Sequence, residues 1–585
     1  MKKKIMLVFG TRPEAIKMAP LVRVLSSTKA LLFIAVVFIV VFFTVPYLFP
    51  PKQMMKSMSY DYGFNNQLGV MLVFLSILVF SFIGYLRKDL GLTIFSNDSV
   101  RLSLRYFGVS CLFLFLFFIW AFLCADLVLD EFNDANFFYY HFYEMTYGRI
   151  PYKDFAFGYG PLTIYMPYWI FSLIPGISAI NAYLISLFFF SILGLYTFFE
   201  LVNAMNIELK EKKWMFYIGF LVFFPYTLGM NYQAFRFVFP FFALWKCHHM
   251  HSYWRLCFLP LSVIFTLSFS PEIGLIFFIV SLINRGFLFY VNRNKIYLFE
   301  VVLLLLLNTC FFVVFLPMFT FVQSFGQGFM NFPFIPSFHL LVFFLSIFIL
   351  AYYWGGQFRQ IDKTVFEISF VLLSFGFIPV CLGRCDPGHV VYNGFYILSI
   401  VFIILSKIRL FNKIRVFLFG IIIVLVLMTS GYLIRIFGRF YLTAPFGCNP
   451  LYSHSSLDVL PEKGEIAMPI ILNLNACKDY FYLLSIGRAE CLYYTRTSSI
   501  GSPHILDTIE ELKKKRPRYL LINRSWKDCV KSSLGSVNSL FFSYYSKSPV
   551  QNGNMVNKPF VDFILNNYKV VNSNHDYLVY EINVD

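Results

Sequence analysis

Long apolar runs alternate with short polar connectors over roughly the first three-quarters of the chain. A helix that crosses a bilayer needs about 20 predominantly apolar residues. On that measure about thirteen spans are expected, some of them short: 30–50, 68–86, 108–128, 177–199, 214–230, 235–250, 256–270, 273–284, 297–320, 338–354, 365–382, 390–406 and 416–437. The first run carries no charge and is followed by no small-residue cleavage site, so it reads as an uncleaved anchor. Residues 162–176, LTIYMPYWIFSLIPG, contain two prolines and read as an amphipathic helix lying in the membrane interface.

From about residue 438 the pattern changes. Lys, Asp, Asn and Ser rise, and the apolar runs shorten. LDTIEELKKKR predicts a charged helix, PRYLLINRS a strand after it, PFVDFILNNY an amphipathic helix, and KVVNSNHDYLVYEI two strands around an Asn/Ser turn. The expected fold is therefore a polytopic α-helical membrane protein with a small C-terminal α/β domain. The expected boundaries are 1–29, a membrane domain at 30–437 containing a large loop at 129–176, and a polar domain at 438–585.

Charge decides the expected orientation. Basic residues fall at Lys2, Lys3 and Lys4 and in alternate connectors: Arg87, Lys88, Arg101 and Arg105; Lys210, Lys212 and Lys213; Arg285, Arg293 and Lys295; Arg359 and Lys363; Lys407, Arg409, Lys413 and Arg415. If the spans alternate, all of these lie on one side, and the positive-inside rule makes that side cytoplasmic. The other side then receives 51–67, 129–176, 231–236, the Ser270-Pro271-Glu272 turn, 321–337, 383–389 and everything after about 438. A cytoplasmic N-terminus and an extracytoplasmic C-terminal domain follow.

Composition agrees with a membrane protein. Of the 585 residues 58% are hydrophobic, 77 are Phe, and only 14% are charged, too few to solvate a soluble chain of this length. The net charge of +17 reflects the basic connectors and an affinity for anionic headgroups. No nucleic-acid partner is expected. The 11 cysteines contain no CxxC pair. Cys247, His248, His249 and His251 form a Cys/His cluster on the expected cytoplasmic side, where a polar span end explains them better than a metal.

The candidate chemistry gathers on the other face. The loop DEFNDANFFYYHFYEMTYGRIPYKDFAFGYGP, residues 130–161, collects acids and aromatics beside the membrane. Carboxylates there are costly unless paired or used. Gly148 to Pro161 reads G-x-x-P-Y-x-D-F followed by G-P. NYQAFRFVFP, SFSPEIG and LGRCDPGHVVYNG follow on the same expected face, and Arg384 to His389 reads R-x-D-x-x-H.

This set resembles the glycosyltransferase C superfamily over roughly residues 100–585. The likeness is to bacterial polyprenyl-phosphate-sugar-dependent enzymes related to protein O-mannosyltransferases and aminoarabinose transferases. It implies an enzyme of the bacterial inner membrane that moves a sugar from a polyprenyl-phosphate donor to a glycan or lipid-linked acceptor. A separate likeness covers the first 25 residues. FGTRPEAIKMAPL resembles the opening strand, loop and helix of non-hydrolysing UDP-N-acetylglucosamine 2-epimerases. A membrane span begins by residue 30, and a lone parallel strand lacks the neighbours that would bury both its faces, so this piece reads as a fragment.

Transfer from a lipid phosphate needs a carboxylate to take the acceptor proton and cations to hold the leaving phosphate. The resemblance points to Asp134 as the base, with Asp130 and Glu131 as the alternative pair and Asp154 in a second acidic role. Arg236 and Arg384, with His389, are the candidate phosphate ligands, since an Arg fork matches phosphate oxygens. Tyr152, Tyr159, Tyr165, Glu272 and Asp386 are candidate substrate contacts. No residue set demands a cofactor, although some members of the superfamily use a divalent metal. A polysaccharide transporter or flippase and a lipid-pyrophosphate-dependent polymerase are the competing readings. The transporter would need polar residues midway through its spans.

Overall fold

The computed structural model describes residues 28–50, 64–86, 93–95, 100–123, 133–155, 157, 159–223, 233–316, 334–383, 385, 390–391, 393–407, 460–461, 466–469, 489–493, 502–523, 554–574 and 577–583. Among these, nine helices are long and apolar enough to cross a membrane. The chain is a multi-pass helical protein with a small C-terminal sheet. In hydrocarbon only a helix satisfies its own backbone within one segment, which is why the long apolar runs among the described residues take this form.

The helices are α1 (Thr28–Leu48), α2 (Asn66–Leu86), α3 (Leu104–Leu123), α4 (Asn133–Thr146), α5 (Leu162–Leu173), α6 (Ala179–Ala204), α7 (Leu209–Phe223), α8 (Gln233–His249), α9 (Ser252–Phe269), α10 (Pro271–Asn292), α11 (Lys295–Val314), α12 (Phe338–Gln357), α13 (Ile361–Gly376) and α14 (Phe395–Lys407). The nine candidate spans match nine of the thirteen expected. Three further expected spans, 214–230, 235–250 and 390–406, correspond to the shorter helices α7, α8 and α14. The thirteenth, 416–437, lies outside the described residues. Helix α5 has 12 residues, about 18 Å of rise, too short for a crossing.

The expected cytoplasmic segment 285–296 is corrected by the structure. Helix α10 continues through it to Asn292, so Arg285 is a buried helical residue and not a loop residue. It is held there by Glu300 of α11, with which it forms an ion pair at 3.3 Å.

Packing separates central from peripheral helices. Phe338–Gln360 and Thr364–Leu382 are about two-thirds or more buried, whereas few residues of α1 and α11 are buried along their spans. Helices α2 and α12 run side by side at backbone contact. A Cβ on Gly84 would lie 1.9 Å from the Tyr352 carbonyl oxygen, and one on Gly355 would lie 1.8 Å from that of Ser81. Small residues allow such approach where no hydrophobic force drives helices together in lipid. Stacked Phe80 and Phe348, with ring centroids 4.5 Å apart, fill the space one turn away.

Helix direction fixes which residues share an end of the bundle. Helices α10 and α13 are antiparallel, because Asn284 Nδ2 donates to Ser369 Oγ at 2.8 Å while Gly376 packs on Ile276. His339 at the start of α12 makes a 2.8 Å hydrogen bond to the Cys385 carbonyl. The start of α10, the end of α13, the start of α12 and Cys385 therefore lie at one end. The junctions α8–α9 and α10–α11 lie at the other.

The C-terminal sheet comprises β1 (Ile466–Pro469), β2 (Ala489–Tyr493), β3 (Tyr519–Asn523), β4 (Tyr568–Ser573) and β5 (Tyr577–Ile582), in the order β2-β1-β3-β5-β4. Strands β1, β2 and β3 are parallel, and β5 pairs antiparallel with β3 and β4. Helices Ser502–Lys515 and Asn554–Asn567 cover the sheet through Leu512, Phe560 and Ile564 on Leu520, Ile522 and Tyr580. Both helices and β3 to β5 follow the pattern read from sequence. Strands β1 and β2 are additions to it.

Candidate functional site

The site begins with α4. Its Phe138, Phe142 and Met145 recur at helical spacing and are buried. Phe142 meets Phe171 of α5, and Tyr139 meets Tyr183 of α6. The helix stops where Gly148 adopts φ 81°, a left-handed position that suits a residue without Cβ. Gly148 N donates to Met145 O, and the Arg149 guanidinium folds back to the buried Glu144 carboxylate at 2.8 Å. Glu144 and the equally buried His141 were not singled out from sequence, though both stand in the acidic loop.

The chain then makes a tight turn. Asp154 N donates to Ile150 O, and Asp154 Oδ2 accepts from Ile150 N, both at 2.8 Å. Asp154 is exposed and caps this turn; it is not brought to the other candidates. At the turn's centre Tyr152 holds φ 65°, a strained setting for a residue with a bulky side chain. Its hydroxyl donates to the Tyr159 carbonyl at 2.5 Å, which anchors the strained residue to the next stretch of loop. Burial holds the Tyr152 phenol well above its ordinary pKa, so it remains a donor.

Gly160 fixes the loop to the bundle. Its N–H donates to Phe269 O at the end of α9, and a Cβ here would lie 2.1 Å from the Ser268 carbonyl oxygen. Only glycine allows that contact. Tyr159, beside it, packs on Phe138 with ring centroids 4.9 Å apart. The Arg236 guanidinium sits over the other side of the cluster, 5.4 Å from the Tyr159 ring and 4.9 Å from the Phe237 ring.

Arg236 lies in the first turn of α8 and is 7% exposed. Its Nη2 donates to Glu272 Oε1 at 2.9 Å. Glu272 is the second residue of α10, where the helix dipole favours a carboxylate. Its side chain is 33% exposed, so the pair sits between the core and an open side. Arg236 Nε has no hydrogen-bond acceptor among the described residues. Among the described residues the guanidinium is thus hydrogen-bonded to Glu272 through Nη2 while Nε has no partner.

The structure therefore brings together Tyr152, Tyr159, Arg236 and Glu272, four candidates scattered over some 120 residues of sequence. Tyr165, in the first turn of α5, packs beside this cluster. Asp134 is the second residue of α4, one helical turn before Phe138, whose ring touches Tyr159. Asp130, Glu131, Arg384, Asp386 and His389 lie outside the described residues. Cys385, the chain neighbour of Arg384 and Asp386, is at the same end of the bundle as Glu272 by the helix directions given above.

The Cys/His run at the opposite end does not converge. Cys247 is buried, His248 stacks on Phe366, the His249 ring nitrogen Nδ1 bonds Trp245 O, and His251 stacks on Tyr253. Among the described residues no three His, Cys, Asp or Glu side chains form a metal-binding group.

That opposite end holds instead a cluster that the sequence reading missed. Arg255 of α9 donates Nε to Glu300 Oε1 at 2.6 Å, and Arg285 of α10 approaches Glu300 Oε2 at 3.3 Å. All three residues are buried. The available signal was Glu300, a single acid in the expected apolar span 297–320, since an intramembrane carboxylate implies a cationic partner.

Compared with family models, curated proteins and solved structures, the chain matches none.

Proposed function

We propose that this chain is a membrane glycosyltransferase of the type its motifs resemble, moving a sugar from a polyprenyl-phosphate donor to a cell-surface or lipid-linked glycan acceptor. The observation that carries the reading is the Arg236 site. A buried guanidinium, tied to Glu272 and laid over Tyr159, has a donor with no partner among the described residues, at the bundle end to which the G-x-x-P-Y-x-D-F loop is fastened. In this reading the full chain has thirteen spans and lies in a bacterial inner membrane with its N-terminus inside. The C-terminal sheet belongs to an extracytoplasmic domain.

The chemistry follows from the charges. The acceptor hydroxyl attacks the anomeric carbon and loses its proton to Asp134. The bond between that carbon and the phosphate oxygen breaks, and the electron pair leaves with the lipid phosphate. Arg236, joined by Arg384, holds that anion, while Glu272 orients Arg236 and Tyr159 offers a face for the sugar. Electrostatic stabilisation of the leaving group by fixed donors is usually the largest single contribution to such a rate.

The transporter reading draws support from one observation, the buried charges of Arg255, Arg285 and Glu300. These residues stand in the first or second turn of α9 and α11 and about two turns before the end of α10. They lie toward one end of the bundle, not midway along it, which favours the transferase.

The test is incubation of purified protein with radiolabelled polyprenyl-phosphate sugars and a lipid extract. Wild type transfers label. Asp134→Asn lowers the rate by about 10²- to 10⁴-fold, as loss of a general base does. Arg236→Gln slows transfer with retained expression. Undiminished transfer by Asp134→Asn removes the base assignment. Movement of labelled lipid across proteoliposomes without any transfer decides for the transporter.

A further inference from the structure

The Arg255–Glu300–Arg285 cluster lies at the bundle end opposite Arg236, separated from it by the length of α9, about 27 Å for its 18 residues. It holds two guanidinium groups and one carboxylate, so the buried charge is not balanced. Arg255 is well served, through its 2.6 Å bond to Glu300 and a contact 5.2 Å over the Tyr297 ring. Arg285 is not. It is 1% exposed, and among the described residues its Nε and Nη1 have no hydrogen-bond partner. Its Nη1 reaches Glu300 Oε2 at 3.3 Å, yet neither atom of that contact is hydrogen-bonded.

Burying a net charge with vacant donors is costly. A water molecule could fill a donor's need but not the charge. The shortfall is one negative charge with acceptor oxygens. The setting narrows its chemistry. Exposed Lys246, Arg293 and Lys295 ring the same end, where α8 gives way to α9 and α10 to α11. Basic recesses between helices at a membrane surface take phosphate headgroups, and a guanidinium N–H makes a charge-assisted hydrogen bond to a phosphate oxygen.

We infer that Arg285 and Arg255 form a phosphate-binding site between α9, α10 and α11, remote from Arg236 and independent of the transferase reading. Glu300 is its internal counter-charge: it holds Arg255 in place and leaves Arg285 Nε for the ligand. The phosphate is that of a lipid headgroup or of a soluble phosphate, and the two sources separate by experiment.

Full-length protein carrying Arg236→Gln, which silences the first site, is delipidated in nonionic detergent and titrated with radiolabelled inorganic phosphate. It is also placed in nanodiscs of phosphatidylcholine with and without phosphatidylglycerol, and its thermal midpoint is measured. One saturable phosphate site in detergent identifies a soluble ligand. A midpoint raised only by phosphatidylglycerol identifies a headgroup. In either case adding Arg285→Gln weakens the effect about tenfold or more, the loss expected for a charge-assisted contact. Adding Lys569→Gln, at an exposed residue of the C-terminal sheet, leaves it unchanged. If Arg285→Gln does not fold, Arg285→Lys retains the charge without Nε and shows the same weakening. Absence of both saturable phosphate binding and a phosphatidylglycerol shift in the Arg236→Gln protein overturns the proposal, as does an effect of equal size after Arg285 is replaced.

Discussion

Replacing Glu300 by Gln is expected to be the most damaging of three substitutions in the buried cluster. Glu300 is 2% exposed and is the anion shared by Arg255 and Arg285. Removing its charge leaves two buried cations with no compensating carboxylate. Breaking a buried ion pair by deleting one partner costs about 3–5 kcal/mol, and here two pairs break at once. Arg255→Gln ranks second. It removes the 2.6 Å bond and leaves Glu300 with the looser 3.3 Å contact to Arg285. Arg285→Gln ranks last, because the remaining Arg255–Glu300 pair is neutral and well bonded; the expected cost is about 1–2 kcal/mol, on the scale of a lost buried polar contact. The assay is thermal unfolding in detergent without phosphate, or titration with a denaturing detergent, followed by tryptophan fluorescence. The reasoning fails if Arg285→Gln costs as much as Glu300→Gln, or if all three lie within about 0.5 kcal/mol of wild type, the usual range for surface changes.

Two further outcomes follow from the packing and the charges. Gly160→Ala forces a Cβ to within 2.1 Å of the Ser268 carbonyl and lifts the loop from α9; it lowers the thermal midpoint and the rate of label transfer, at a cost of about 1–3 kcal/mol. Gly108→Ala, with no atom within 4 Å of the new methyl, is the control and leaves both unchanged or raises the midpoint. Lys212 is buried, and that burial, followed by repulsion from Arg101, pushes its pKa down to about 8 from 10.5. The folded state therefore disfavours the charged amine, and the penalty is full below pH 8 and fades as pH rises from 8 to 10.5. Lys212→Gln, which removes the titrating amine, raises the midpoint at pH 7 and gives a shrinking gain across that window; a gain that grows with pH contradicts the assignment.

The membrane part of the fold was legible because one property decides it. A run of about 20 apolar residues has one stable form in hydrocarbon, so nine expected spans appear as long helices among the described residues. The ends were less legible. Helix α10 was expected to stop at residue 284, since Arg285 looks like a boundary residue. It continues to Asn292 because Glu300, fifteen residues on, supplies the missing charge from the next helix. Strands β1 and β2 escaped notice for a related reason: Ile466–Pro469 is short and pairs with partners 23 and 53 residues away, measured from Ile466 to Ala489 and to Tyr519. Periodicity within a segment does not report such pairings.

The candidate site shows the same division between local and distant information. Residue types and spacing selected Tyr152, Tyr159, Arg236 and Glu272, and these do lie together. Their roles within the cluster come only from contacts across the chain. Gly160 is fixed by a carbonyl over a hundred residues later, and Arg236 is oriented by Glu272 from another helix. Asp154 illustrates the converse: its partner is four residues away, and a local turn accounts for it completely. Both charged clusters use the junctions of α8, α9, α10 and α11. A helical hairpin in lipid can bury an Arg at either end only if a neighbouring helix returns a carboxylate to the same depth, and Glu272 and Glu300 meet that condition at the two ends. Among the described residues each carboxylate leaves one Arg donor without a partner, Arg236 Nε and Arg285 Nε. A purely structural ion pair would be under pressure to close both edges, because each vacant buried donor costs about 1–3 kcal/mol. Under the two proposals above, these are the donors that an anion would meet.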